Sequence, residues 1–89
     1  MSKTYLVDGN LDADYVDRFR TKLDSLGNTA GDVVLDLSRV NFIDSCGIGA
    51  VVSLHKRLLA KGRKLKVIGL RGQPLQLLIN LELLPIFSS

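Results

Sequence analysis

Apolar positions fall into short blocks along this chain, and their spacing changes from block to block. Tyr5 and Val7 alternate with Leu6 in the run Thr4 to Val7, the two-residue period of a strand, and Asp8-Gly9-Asn10 stops it. From Asp12 the period becomes helical. Tyr15, Val16, Phe19, Leu23 and Leu26 share one face, Asp12 stands at the N-cap position, Asp14 lies in the first turn, and Gly27-Asn28 ends the helix. Val33, Val34, Leu35 and Leu37 make a run too short for a helix and rich in branched residues. It predicts a central strand buried on both faces.

After Phe42-Ile43-Asp44 a second helix is expected from Ser45 to about Lys61, closed by Gly62, with Ile48, Val51, Val52, His55 and Leu59 as its apolar stripe. Lys64 to Leu70 reads as a third strand. Arg71-Gly72-Gln73-Pro74 opens a third helix, where proline suits the first turn. Between Leu75 and Phe87 nine of thirteen residues are apolar, more than one helical stripe can hold, so this tail packs on several sides or meets a partner. Strands alternating with helices predict a single α/β domain over residues 1–89, a mainly parallel sheet of about four strands packed by helices.

Composition narrows the chemistry. The 89 residues hold 46% apolar and 24% charged side chains, a folding chain with room for one core. No apolar stretch approaches the roughly 20 residues of a membrane span, so no membrane insertion is expected. The N-terminus lacks the apolar segment of a secretory signal, and Cys46 is the single cysteine, which together imply a reducing cytoplasm. One Cys and one His cannot build a zinc site, and Asp32, Asp36 and Asp44 complete no oxygen cage, so neither metal nor cofactor is expected.

The net charge of +3 conceals an asymmetry. Residues 1–44 carry five cations against eight aspartates, net −3, whereas residues 45–89 carry seven cations against Glu82 alone, net +6. Most of those cations cluster from Lys56 to Lys66, where they complement the C-terminal end of the second helix. With no interleaved aromatics or recognition motif, direct nucleic-acid binding is not expected.

The chemistry concentrates at Asp44-Ser45-Cys46-Gly47, between a strand and a helix. A helix start leaves backbone N–H groups unpaired and partly positive, so Ser45 reads as the cap, with its hydroxyl at a point that tolerates phosphate. Cys46 reads as a small filler and not as a nucleophile, because no basic group adjoins it in sequence. His55 lies ten residues along the same helix, about 15 Å from Ser45, which excludes a Ser/His dyad and leaves it a half-buried packing residue. Gly47-Ile48-Gly49 lacks the third glycine of a dinucleotide loop. Its two glycines instead let helix and strand approach closely.

These residues carry a family likeness. Val34-Leu35-Asp36-Leu37-Ser38, Val40 and Phe42-Ile43-Asp44-Ser45-Cys46-Gly47-Ile48-Gly49 resemble the signature of the STAS domain, as found in bacterial anti-sigma factor antagonists, and Gly9-Asn10-Leu11-Asp12 is similar to the Gly-x-Leu-Asp before that family's first helix. The resemblance implies a regulator with no catalysis of its own. Unmodified, it would hold a partner that is both anti-sigma factor and serine kinase, freeing the sigma factor; phosphorylation of Ser45 would break that complex, and a phosphatase would restore it. Asp44, Ser45, Cys46, Gly47, Ile48 and Gly49 would form the partner-binding turn. Stand-alone STAS domains also resemble regulatory subunits of membrane lipid-transport ATPase complexes, and in that alternative the leucine-rich tail would dock.

Three departures from the family pattern are visible. Only eight residues precede Gly9, so a first edge strand is expected to be missing, and either that unpaired edge or the leucine-rich tail offers a surface for a homodimer. The chain ends soon after Phe87. Cys46 replaces a second serine common in the family, which leaves Ser45 as the turn's one hydroxyl.

Overall fold

The alternation of periods folds as a parallel sheet with helices on one side. The computed structural model describes residues 2–88. Strand β1 (Ser2–Leu6) is followed by helices α1 (Ala13–Arg18) and α2 (Arg20–Leu26), strand β2 (Asp32–Asp36), helix α3 (Ser45–Ala60), strand β3 (Leu65–Ile68), and helices α4 (Gly72–Asn80) and α5 (Leu84–Ser88). The sheet order is β1-β2-β3, with Tyr5 opposite Leu35 and Leu35 opposite Val67. It holds three strands among the described residues, one fewer than expected. β1 occupies the edge at which the sequence implied a missing strand. A third parallel contact is a lone bridge between Leu11 and Ile43.

β2 is central as expected, but it is not buried on both faces. Val33, Leu35 and Leu37 point into the core with Leu65 and Val67, while Val34 and Asp36 are only half-buried and Thr4, Leu6, Lys66 and Ile68 are exposed on the opposite face. The cause is layering: the buried side chains of the helices join those of one sheet face alone. β2 therefore has one dry side. The first helix is divided at Phe19, whose backbone (φ −110°, ψ 23°) leaves the helical region although its N–H still donates to Tyr15. Asp12 caps α1 through a bond from Tyr15 N–H, as its position predicts.

The buried face of α3 is set by Gly47, Val51, Leu54 and Leu58. This is the expected stripe rotated by one position, since Ile48, Val52 and His55 are half-buried and Leu59 is exposed. In the leucine-rich tail Leu78 and Phe87 join the core, whereas Ile79, Leu81 and Ile86 face solvent. The His55 and Phe87 rings pack perpendicular to each other with centroids 5.4 Å apart, so this histidine packs as expected. Two of the clustered cations have structural work: Arg57 pairs with Asp24 at 3.1 Å, and Lys61 Nζ donates to Gly27 O at 2.8 Å, tying α3 to the end of α2. Tyr15 and Tyr5 share a 2.7 Å hydroxyl bond in the core's flank, and burial, reinforced by that bond, pushes the Tyr15 phenol upward.

Candidate functional site

The turn between β2 and α3 is built by contacts across 30 or more residues of sequence. Leu11 N–H donates to Phe42 O at 3.0 Å and Asp44 N–H to Leu11 O at 3.3 Å, so the segment that begins α1 lies along the segment that begins α3. Asp44 stands where the two helix starts meet. Its Oδ1 accepts from Gly47 N–H at 2.8 Å and its Oδ2 from Ala13 N–H at 3.0 Å, so one carboxylate serves the first turns of α1 and α3 together.

This corrects the expectation for Ser45. Asp44 is the N-cap of α3, and Ser45 is its first helical residue, exposed to solvent. The cap needs an acceptor aimed forward at the N–H of Gly47, and the extended backbone of Asp44 (φ −101°, ψ −175°) aims its side chain there. With capping done by its neighbour, the Ser45 hydroxyl is released from a structural task. Cys46 and Gly49 are exposed too, Ile48 is half-buried, and Gly47 is buried. The six turn residues thus divide into an outer set, Ser45, Cys46 and Gly49, and an inner set that holds the turn. Ser45 and His55 remain far apart along α3, with no dyad.

Gly47 is inner for a measurable reason. A Cβ built on it would lie 2.0 Å from Leu11 O and 3.0 Å from Ile43 Cγ2, so the helix axis is drawn against the Leu11–Ile43 bridge to a distance only glycine permits. The same expectation for Gly49 fails, because a Cβ there would meet nothing within 4 Å. Outside it, a groove of about 250 Å³ runs between α3 and the α1–α2 pair, with Cys46, Gly49 and Ser53 on one wall and Arg20 among the residues of the other. It adjoins Ser45 and extends the accessible surface of the turn.

Asp44's carboxyl lies below the usual carboxylate range, chiefly because Gly47 N–H donates to it, with partial burial opposing and the N–H groups of Ala13 and Cys46 assisting. A group whose folded pKa is depressed stabilises the fold above its unfolded pKa, and that contribution is lost as pH falls through the folded value. Thermal melts are expected to fall as pH drops below about 4, and Asp44→Asn is expected to reduce that acid-side slope. An unchanged slope would remove Asp44 from the account.

Gln73 is a supporting residue that sequence reasoning missed. Its Oε1 accepts from Ile43 N–H at 2.9 Å and its Nε2 donates to Ile43 O at 3.0 Å, so the start of α4 clamps both backbone groups of the residue before Asp44. Only its contact with Ile43 could have signalled it, and that contact spans 30 residues. Gln73→Ala is expected to cost about 1–2 kcal/mol, lowering Tm by roughly 10 °C in a domain of this size. Differential scanning calorimetry checks this.

A family model described as STAS domain matches residues 3–89. The chain belongs to the STAS domain family. The fold of this STAS domain is shared with the crystal structure of a sulfate transporter family protein from Wolinella succinogenes, at a TM-score of 0.80 and 21% sequence identity, covering 98% of this chain and 71% of that one. No curated protein matches the sequence. Among the described residues, no helix of this STAS domain is long and apolar enough to cross a membrane, and no three His, Cys, Asp or Glu side chains cluster to hold a metal ion. What the site offers chemically is an exposed hydroxyl at a helix start, beside a carboxylate that stays ionised.

Proposed function

We propose that this STAS domain is a cytoplasmic anti-sigma factor antagonist controlled by reversible phosphorylation of Ser45. Unmodified, it holds an anti-sigma factor that is also its serine kinase, and it has no catalysis of its own. The observation that carries this reading is the exposure of Ser45 at the first position of α3, with capping taken over by Asp44. A phosphate there adds about −1.5 to −2 charges. Within the domain the helix start accommodates it. Across an interface the same charge, next to ionised Asp44, repels the nucleotide phosphates of a bound kinase and must be desolvated.

The test is to incubate the domain with a candidate anti-sigma kinase and ATP and to weigh it intact. A gain of one phosphate mapped to Ser45 supports the proposal. No gain, or phosphate on Ser38 or Ser53 alone, rejects it.

A second reading draws on the exposed Ile79 in α4 and Leu81 at its C-terminal end, which suit docking to a larger partner. In it the domain is a regulatory subunit of a lipid-transport ATPase complex. Co-purification with such an ATPase, together with no phosphate on Ser45, would favour it over the first.

A further inference from the structure

The two edges of the sheet are not alike. At one, α5 packs against β3; at the other, β1 has β2 as its closely packed neighbour. The direction of the β1 backbone groups follows from the ladder: Val7 N–H donates to Asp36 O at 3.1 Å, and Leu6 stands opposite Asp36. In a parallel pair alternate residues turn both N–H and C=O to the neighbouring strand, so Lys3, Tyr5 and Val7 serve β2, whereas Ser2, Thr4 and Leu6 turn theirs outward. Among the described residues no strand meets them there.

Proteins shield such an edge with proline, a bulge, a covering helix or charge. β1 holds no proline, pairs with β2 residue for residue without a bulge, and carries one charge, Lys3. Thr4 and Leu6 expose their side chains on the sheet face that no helix covers, Leu6 by 40%. The outward groups are spaced symmetrically about Thr4, so the edge is complementary to itself when turned by half a revolution. Antiparallel pairing on this centre sets Thr4 opposite Thr4 and Ser2 opposite Leu6, and with two bonds for each facing pair it makes about six. It uses the whole of β1, whereas a centre on Tyr5 or Leu6 would run the pairing past the strand to Asp8. Lys3 then falls opposite Tyr5 of the second copy and not opposite another lysine.

We propose that this domain forms a two-fold homodimer by antiparallel pairing of β1 with β1 of a second copy, centred on Thr4. Three parallel strands from each copy then join across one antiparallel seam, a mixed sheet of ordinary size. The axis is normal to the sheet, which keeps both sets of helices on one side and both open faces on the other. A seam of five residues buries less than a standard interface, so the dimer is expected to be weak, with a Kd of roughly 10–500 µM. The pairing does not depend on the phosphorylation reading, because Ser45 stands at the start of α3 and takes no part in β1.

Sedimentation velocity and amide hydrogen exchange, read across concentration, test it together. The domain is expected to pass from monomer to dimer below about 1 mM. As it does, the amides of Thr4 and Leu6 should slow several-fold, while those of Tyr5 and Val7, bonded to β2, stay protected throughout. Thr4→Pro removes an N–H that β2 does not use and should weaken self-association at least about tenfold. Thr4 also meets itself across the axis, so charge placed there faces its own kind. Thr4→Lys and Thr4→Glu, on an exposed side chain, should each weaken self-association about three- to tenfold, and an equimolar mixture of the two should restore it. A monomer at about 1 mM, a dimer indifferent to Thr4→Lys, a mixture that restores nothing, or a dimer dispersed by Ile79→Lys on the exposed side of α4 would each overturn the proposal.

Discussion

Gly47→Ala is expected to cost about 3 kcal/mol or more, enough to leave this small domain largely unfolded at moderate temperature, because the new methyl would enter the backbone of Leu11. A flexible side chain could move aside; a carbonyl oxygen 2.0 Å from the built Cβ cannot without breaking the Leu11–Ile43 bridge. Two positions on, the sign reverses. Gly49→Ala places its methyl in open space inside a helix and is expected to add about 0.5–1 kcal/mol through helix propensity. Urea unfolding of both variants checks the pair, and a destabilised Gly49→Ala or a neutral Gly47→Ala would contradict the packing described.

The second large effect belongs to the interface. Ser45→Asp is expected to weaken binding to the cognate kinase at least about tenfold, since a carboxylate carries part of the phosphate's charge into the contact, while Ser45→Ala retains the unmodified affinity. Neither change should alter the fold. An acidic residue in the first turn of a helix is favourable for the helix dipole, and the hydroxyl it replaces is not the cap. Equal affinities of the two variants, measured by calorimetry against the kinase, would refute the switch. Coincident melting curves show that the difference lies in binding and not in stability.

Much of this was readable from the residues. Asp12 caps as its position implies, the strand and helix order follows from the change of period, and the Asp-Ser turn stands at the start of α3. What the sequence misplaced follows from ambiguity in adjacent apolar pairs. Val51-Val52 and Leu58-Leu59 allow two stripes one residue apart, and packing against the sheet chose Val51, Leu54 and Leu58. The run Val33-Val34-Leu35 likewise reads as buried on both sides, whereas helices cover only one.

The cap assignment and the Gln73 clamp were illegible for a different reason. Serine and aspartate cap equally well in isolation, and only the approach of Ala13, 31 residues away, explains why a carboxylate with two acceptors stands before the hydroxyl. Gln73 carries no local signature at all. Its value exists once Ile43 is opposite it.

The shared carboxylate also decides how portable the motif is. Asp44 and Ser45 grafted onto another strand–helix junction would carry across the hydroxyl but leave behind Ala13, the Leu11 carbonyl that closes on Gly47, and the Gln73 amide. An engineer transplanting the motif would have to move three separate stretches of chain, or accept a serine on an ordinary helix end in place of one held by the whole domain.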